Sequence, residues 1–376
     1  MINKTRLRDL FLRLINIDSV SFNEKNIGEI IVEKLESLGL EVELHTTAKK
    51  YLEAHPHSFP NIYGILKGNV EEEPVLFSSH LDTVVPGINK KADCSIAGII
   101  KSQGDTVLGA DDISGVASII EALTVLVENN LKHGDIEVLF TVAEEPFCEG
   151  SKYLNYDLIK SKRAYVLDLN GLVGTAALSA PSIISFEVDI IGKAAHAGFA
   201  PWEGVNALNI AVETLKEIKT GHINDTTTVN IGTIHGGSGK NIVPAEIKLT
   251  GEVRSFNHDF ALSTAEQILK SFKENANKMG GVAYCRQYNH IEAFNISESE
   301  EVTDKFKKAA KRIGIKTNMI KTFGGSDGNR FNAAGIKTLV LACAMENVHT
   351  TNEYTDLNEL QRAAELTLEL MKYKEE

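Results

Sequence analysis

Cysteine is scarce in this chain of 376 residues: Cys94, Cys148, Cys285 and Cys343 are widely spaced and form no C-x-x-C pair. That argues against a disulfide framework and for a reducing compartment, the cytoplasm. Cys148 lies near Glu144 and Glu145, so a metal role competes with the commoner one of a small buried apolar group. Positive charge is also in deficit. With 39 Lys and Arg against 51 Asp and Glu, the net charge is -12, which speaks against partners such as nucleic acid or an anionic membrane surface. Long apolar runs are missing. No stretch of about 20 apolar residues could span a membrane. The opening "MINKTRLRDLFLRLINIDSV" lacks the apolar run and cleavage site of a signal peptide and reads as an amphipathic helix. Repeats, low-complexity segments and a dinucleotide fingerprint are absent. The glycine-rich "HGGSGKN" fails phosphate-loop spacing, because Ile234 stands where the first glycine belongs and Asn241 follows Lys240. It reads as a turn that presents Asn241.

What is present is ordinary in bulk. Hydrophobic residues are 43% and charged residues 24%, as in soluble globular proteins. The length favours two domains. In the first half, helix-like spacing at 7–17, 27–38 and 113–129 alternates with strand-like segments: "GLEVELHTT", "NIYGILKG", "PVLFSSH", "IEVLFTVAEE" and "AYVLDL". "SKYLNYDLI" reads as a short helix. Continuous apolar strands between helices imply a mainly parallel sheet covered on both faces, an α/β fold. From about residue 180 the pattern changes to half-exposed strands in the order β-α-β-β-α-β, the ferredoxin-like unit. The expected domains are residues 1–179 with 293–376, interrupted by 180–292.

The chemistry sits in short stretches: His80 in "SSHLDTV", Asp111 in "LGADDISG", Glu145 in "VAEEP", Asp168 in "VLDLNG" and His349 in "ENVHT". Imidazole and carboxylate together suit a pair of zinc-like ions, and cobalt or manganese fit the same donors. In H-x-D, the Asp82 carboxylate can hold the second nitrogen of His80. Asp111 can bridge two cations, and either Asp111 or Asp112 can cap the following helix. Glu144 and Glu145 end a buried strand, where opposite side-chain directions suit one to metal and the other to proton transfer. His80, Glu144, Glu145 and Asp168 all fall at strand ends, where α/β proteins place ligands. Among the remaining histidines, which read as surface or structural, only His55 and His57 form a close pair.

Together these motifs resemble the M20 metallopeptidases, and within them the peptidase T-like (tripeptide aminopeptidase) group. The resemblance spans essentially the whole chain, adding "FTVAEEPFCEGS", "GKAAHAGFAPWEGVNA", "GGSGKNIVPAE", "GEVRS" and "GGSDGNRFNAAG". It implies a zinc-binding catalytic domain with a central mixed sheet, interrupted by a ferredoxin-like lid that also makes a homodimer. It implies His80 and Asp168 on one of two zinc ions, Glu145 and His349 on the other, Asp111 bridging, and a cis Asp111–Asp112 peptide. Asp82 orients His80, and Glu144 is the general base. His196, Asn241 and Arg254 match substrate-contacting positions, His196 in the partner subunit's site. Arg254 suits a bidentate grip on the carboxylate of a small peptide substrate. Ala197 stands where many relatives carry Pro, and Phe199 and Trp202 are bulky, which bears on substrate size. Rival readings keep the site and change the amide (aminoacylase, dipeptidase, carboxypeptidase) or make the chain a non-catalytic binding relative.

Overall fold

The computed structural model describes residues 1–45 and 53–374. Thr46 and Thr47, the end of the expected strand "GLEVELHTT", lie outside the described residues. The chain divides into two compact units, Met1–Leu178 with Ile296–Lys321 and Ser326–Glu376, and Ser179–Asn295 with Thr322–Gly325.

The first unit is built on a mixed sheet. Its strands run in the spatial order Glu41–His45, Asn61–Leu66, Ile136–Thr141, Val75–His80, Arg163–Leu169, Lys337–Ala342 and Thr175–Ala180. The central pairings are parallel and those towards the edges antiparallel. Every residue of the two strands Val75–His80 and Ile136–Thr141 is buried, as the unbroken apolar runs require of a sheet covered on both faces. Helix Lys4–Ile15 buries Leu7, Phe11, Leu14 and Ile15, the three-and-four spacing that gives a helix one apolar stripe. Each such side chain contributes roughly 1.5–3 kcal/mol when fully buried.

Helix Ala110–Glu128 packs beside helix Leu357–Met371 and against the strands Val75–His80 and Arg163–Leu169. Gly115 permits this approach, since a Cβ there would lie 2.5 Å from the Leu167 carbonyl oxygen. The helix is regular only beyond Asp112. Asp111 and Asp112 have non-helical backbones, and the cap position is Gly109. Asp112 therefore stands at the position before the regular helix, where a cap residue is expected, with its carboxylate accepting from Ser79 and His80 N. The expected helix in "SKYLNYDLI" is two short turns, Glu149–Lys152 and Tyr156–Leu158.

The second unit is an antiparallel sheet in the order Gly221–Asn224, Thr227–Gly236, Glu246–Ser255, Ser182–Ile191, Val282–Ile291. Omitting the short edge strand Gly221–Asn224, the connectivity is β-α-β-β-α-β in ferredoxin-like order. Alternate residues Ile184, Phe186, Val188 and Ile190 form a core with residues such as Ile210 and Phe272 of the helices Ala207–Glu217 and His258–Lys278. The unit reaches Asn295 and takes in Thr322–Gly325, which the sequence pattern assigns to the outer domain. Long-range contacts hold that stretch. Thr322 N donates to Ser179 O at 3.0 Å, and the Phe323 ring packs edge-on against His222 and Phe256. Among the described residues, no helix is long and apolar enough to cross a membrane.

Candidate metal centre

His80 is the last residue of its strand, and its ring is buried. His80 Nδ1 lies 2.9 Å from the Asp82 backbone carbonyl oxygen. A carbonyl only accepts, so Nδ1 carries a proton and Nε2 is left to meet a second proton or a cation on the other side. Nε2 faces Asp111 Oδ1 at 3.2 Å and Asp168 Oδ1 at 3.8 Å. On the other side of Asp111, Oδ2 lies 3.0 Å from His349 Nε2, which is 3.1 Å from Glu145 Oε2. Asp111 thus sends one oxygen to each of two ligand groups, His80–Asp111–Asp168 and Asp111–Glu145–His349.

These groups fit cations. An imidazole nitrogen facing carboxylate oxygens needs positive charge between them, a proton or a metal ion. Ligands about 2.0–2.1 Å from a tetrahedral zinc ion stand about 3.3 Å apart, close to the separations seen. Glu145 Oε1 is buried and has no hydrogen-bond partner among the described residues, a costly orphan unless an ion takes it. The acidic crowding points the same way. Burial, and repulsion from Asp168, hold Glu144 well above the ordinary carboxylate range. Burial raises Glu145 against the pull of His349, and lifts Asp168 to about 7 although His80 opposes it. Burial disfavours charge on His80 and on Asp111, yet their mutual attraction prevails: Asp111, Asp168 and Asp82 raise His80 well above its usual value, and His349 with His80 hold Asp111 well below. Hydrogen bonds to Asp111 and Glu145 lift His349 to about 10.

Glu144 belongs to neither ligand group. Strand Ile136–Thr141 ends before the two glutamates, so a bend with Ala143 at φ 46° separates their directions, in place of the expected strand alternation. Glu144 Oε2 lies 4.0 Å from His80 Nε2, and Oε1 accepts from Cys148 Sγ at 3.2 Å. Cys148 is also near Asp327, but both Asp327 oxygens already accept hydroxyl hydrogen bonds, from Ser151 and from Thr141.

Asp82 does more than face the imidazole. Its carboxylate is 3.6 Å from His80 Nδ1, farther than its own carbonyl. The carboxylate instead accepts from Glu144 N at 2.9 Å, Glu145 N at 3.2 Å and Ser21 Oγ at 2.7 Å. Charge-assisted bonds of this kind are about twice as strong as neutral ones, and here they fix the Glu144–Glu145 bend. Two further buried carboxylates, Glu24 and Glu353, escape sequence reasoning, and a third, Asp112, reads from the sequence only as a candidate helix cap. Glu24 accepts from Ala143 N at 3.1 Å and from Ser58 Oγ at 2.8 Å. Asp112 accepts from Ser79 and, at 3.2 Å, from His80 N. Glu353 accepts from the amides of Gly109 and Asp111. Nothing in residue spacing marks these bonds, and the one sequence signal is that Glu353 follows His349 by four positions. The Asp111–Asp112 peptide is cis. His55 stacks on Phe22 at 4.1 Å, and among the described residues neither His55 nor His57 joins a metal-type cluster.

His196, Asn241 and Arg254 all lie in the second unit. His196 Nδ1 accepts from Gly198 N and Phe199 N, both at 3.1 Å, and its ring lies 4.3 Å from that of Phe199. The proton is therefore on Nε2, which is left to donate. Asn241 O accepts from Ala197 N at 3.0 Å, tying the two loops together. Arg254 is not an open fork. Nε and Nη2 donate to Glu252 at 2.8 and 3.2 Å, and Nη1 donates to Phe323 O at 2.9 Å.

Protonation of the acidic cluster gives the metal-free protein a pH dependence. Glu24 and Glu353, both raised chiefly by burial, and Asp168 titrate at about 7 when folded, against about 4 unfolded. His349 holds its proton to about 10, against about 6.5 unfolded. Between pH 5 and 8 the folded state therefore binds more protons, and stability falls as pH rises. Asp111, held low, titrates below that window. The metal-free melting temperature should drop by about 5 °C or more from pH 5.5 to 8, and added zinc should flatten the slope by displacing the protons of Asp168 and His349. A flat metal-free profile would contradict this protonation pattern.

A sheet carrying carboxylate–imidazole groups around a shared aspartate has the donor set of a metal-dependent hydrolase. Residues 76–373 match peptidase family M20/M25/M40, and the chain belongs to that family. A tripeptidase from Staphylococcus aureus has 37% identity with it, covering 99% of this chain and 98% of its own, with a TM-score of 0.94. An aminopeptidase PepT from Bacillus cereus has 36% identity, 98% coverage of both chains and a TM-score of 0.90. Peptidase T of Clostridium perfringens is 25% identical over 98% of each chain. Within its family this chain is peptidase T-like, and it is a hydrolase of the peptidase class.

Proposed function

We propose that this protein is a two-zinc aminopeptidase that removes the N-terminal residue from tripeptides and similarly short peptides. It would work in the cytoplasm as a homodimer formed through the second unit. The observation that carries the reading is the division of Asp111, with one oxygen 3.2 Å from His80 and the other 3.0 Å from His349. His80 and Asp168 would hold one ion, Glu145 and His349 the other, and Asp111 both. Bound there, two dications would acidify water and polarise a peptide carbonyl.

The remaining roles belong to side chains. Glu144 takes the proton from water through Oε2, while Cys148 holds its other oxygen, and then passes the proton to the leaving amine. Asp82 keeps the Glu144 and Glu145 amides in place and faces His80, so Glu144 stays free of ligand duty. His196, acting in the partner subunit's site, would present Nε2–H to the developing oxyanion, a role worth roughly 3–4 kcal/mol per donor, with Asn241 beside it. Arg254 keeps one unused N–H on each terminal nitrogen for a substrate carboxylate, with Glu252 fixing its plane.

Release of the N-terminal amino acid from a tripeptide, a dipeptide and an N-acyl amino acid tests the reading, with metal-free protein and after adding zinc. Zinc-dependent cleavage confined to the tripeptide is the expected result. Cleavage confined to the dipeptide or the N-acyl substrate would move the protein to a sibling specificity. No cleavage of any of them would favour the binding-protein reading.

A further inference from the structure

Two loops far apart in sequence meet at the Asp111–Glu145–His349 group. One carries Asp111 and the other His349. Glu353, 1% exposed, spans the gap between them. Its Oε2 accepts from Gly109 N at 2.7 Å and its Oε1 from Asp111 N at 2.9 Å, across 242 residues of sequence. It therefore grips the backbone on either side of Ala110, immediately at the bridging aspartate.

Both ends of this clamp are fixed. Gly109 has φ +82°, a conformation glycine adopts without a Cβ penalty, and a Cβ there would meet Thr83 Cγ2 at 3.1 Å. The His349 loop is closed at its base by reciprocal backbone bonds between Glu346 and Tyr354, at 3.0 and 3.1 Å. The Glu353 amide bonds Thr350 O at 3.2 Å, and its carbonyl accepts from Ser102 N at 3.3 Å. His349 itself lies at φ 61°. A rigid carboxylate thus leaves one ligand loop and seizes the amides of the other.

We infer that Glu353 is a positioning residue that sets the second cation position by holding Asp111 in register with His349. It touches neither ion nor substrate. The inference rests on the two-metal reading of the centre. Removing the clamp lets the Asp111 loop move relative to His349, whereas His80 and Asp168 stay anchored on their strands. The loss should fall unequally on the two positions. Groups of this kind around metal ligands typically change affinity by about 10–100-fold.

The test compares full-length wild type, Glu353→Gln and His349→Ala, each titrated metal-free with zinc by calorimetry and with cobalt by visible absorption. A glutamine keeps the size but turns an N–H donor towards one of the two amides. Wild type should take two ions. Glu353→Gln should weaken one of them by at least about 10-fold and the other by less than about threefold, and the weakened one should be the ion lost in His349→Ala. Equal weakening of both, with a lowered metal-free melting temperature, would overturn the inference by showing a general structural role. So would two unchanged affinities. Wild type binding fewer than two ions would overturn the two-metal reading and this inference together. If Glu353→Gln does not fold, Glu353→Asp carries the same outcomes, since it keeps the charge but is one methylene too short to span both amides.

Discussion

Glu144→Ala should reduce peptide turnover by at least about 10³-fold, within the range a lost general base accounts for, while both ions remain bound. The two halves of that expectation have separate causes. Turnover falls because, among the described residues, the other carboxylates near His80 Nε2, Asp111, Asp168 and Glu145, belong to the candidate ligand groups. Metal is retained because Glu144 belongs to neither group. Its Oε2 stands 4.0 Å from His80 Nε2, and its Oε1 is turned to Cys148. The alanine would also relieve repulsion, since Glu144 is held well above the ordinary carboxylate range by burial and then by Asp168. Metal affinity should therefore change little. Metal content by mass spectrometry beside single-turnover kinetics decides the matter. Persistent turnover would end the general-base assignment, and loss of metal would make Glu144 a ligand.

Asp111→Ala should cost both ions. Among the described residues no other side chain belongs to both groups, so its removal leaves His80 with Asp168, and Glu145 with His349, each a pair in place of a trio. The substitution also removes the carboxylate that faces both histidines, at 3.2 and 3.0 Å, so each imidazole loses its nearest anionic neighbour in the centre. Zinc retained after dialysis should fall from two ions to less than one per chain, and activity by about 10³-fold or more, several kcal/mol of lost stabilisation. Loss of a single ion, with the other at wild-type affinity, would show that Asp111 serves one position only. His349→Ala provides the contrast, since it should remove one position and spare His80 and Asp168.

The first candidate ligand positions were legible because they sit where secondary structure puts them. His80 closes an apolar strand, Asp168 lies at the end of the next but one, and the alternation of buried strands and helices is written in residue spacing. The order β-α-β-β-α-β of the second unit followed from a change of period near residue 180. Residue types and their strand-end placement are local properties, which the sequence by itself determines. Tertiary structure decided the rest. Asp82 turns its carboxylate to the amides of Glu144 and Glu145, Arg254 is taken up by Glu252 and Phe323, Thr322–Gly325 joins the second unit, and Glu353 grips Gly109 and Asp111. These are hydrogen bonds from side chains to backbone groups or to neighbours chosen by the fold. Every residue offers the same N–H and C=O, so such partners leave no period and no motif. Which amide a buried carboxylate meets is settled only when distant loops pack together.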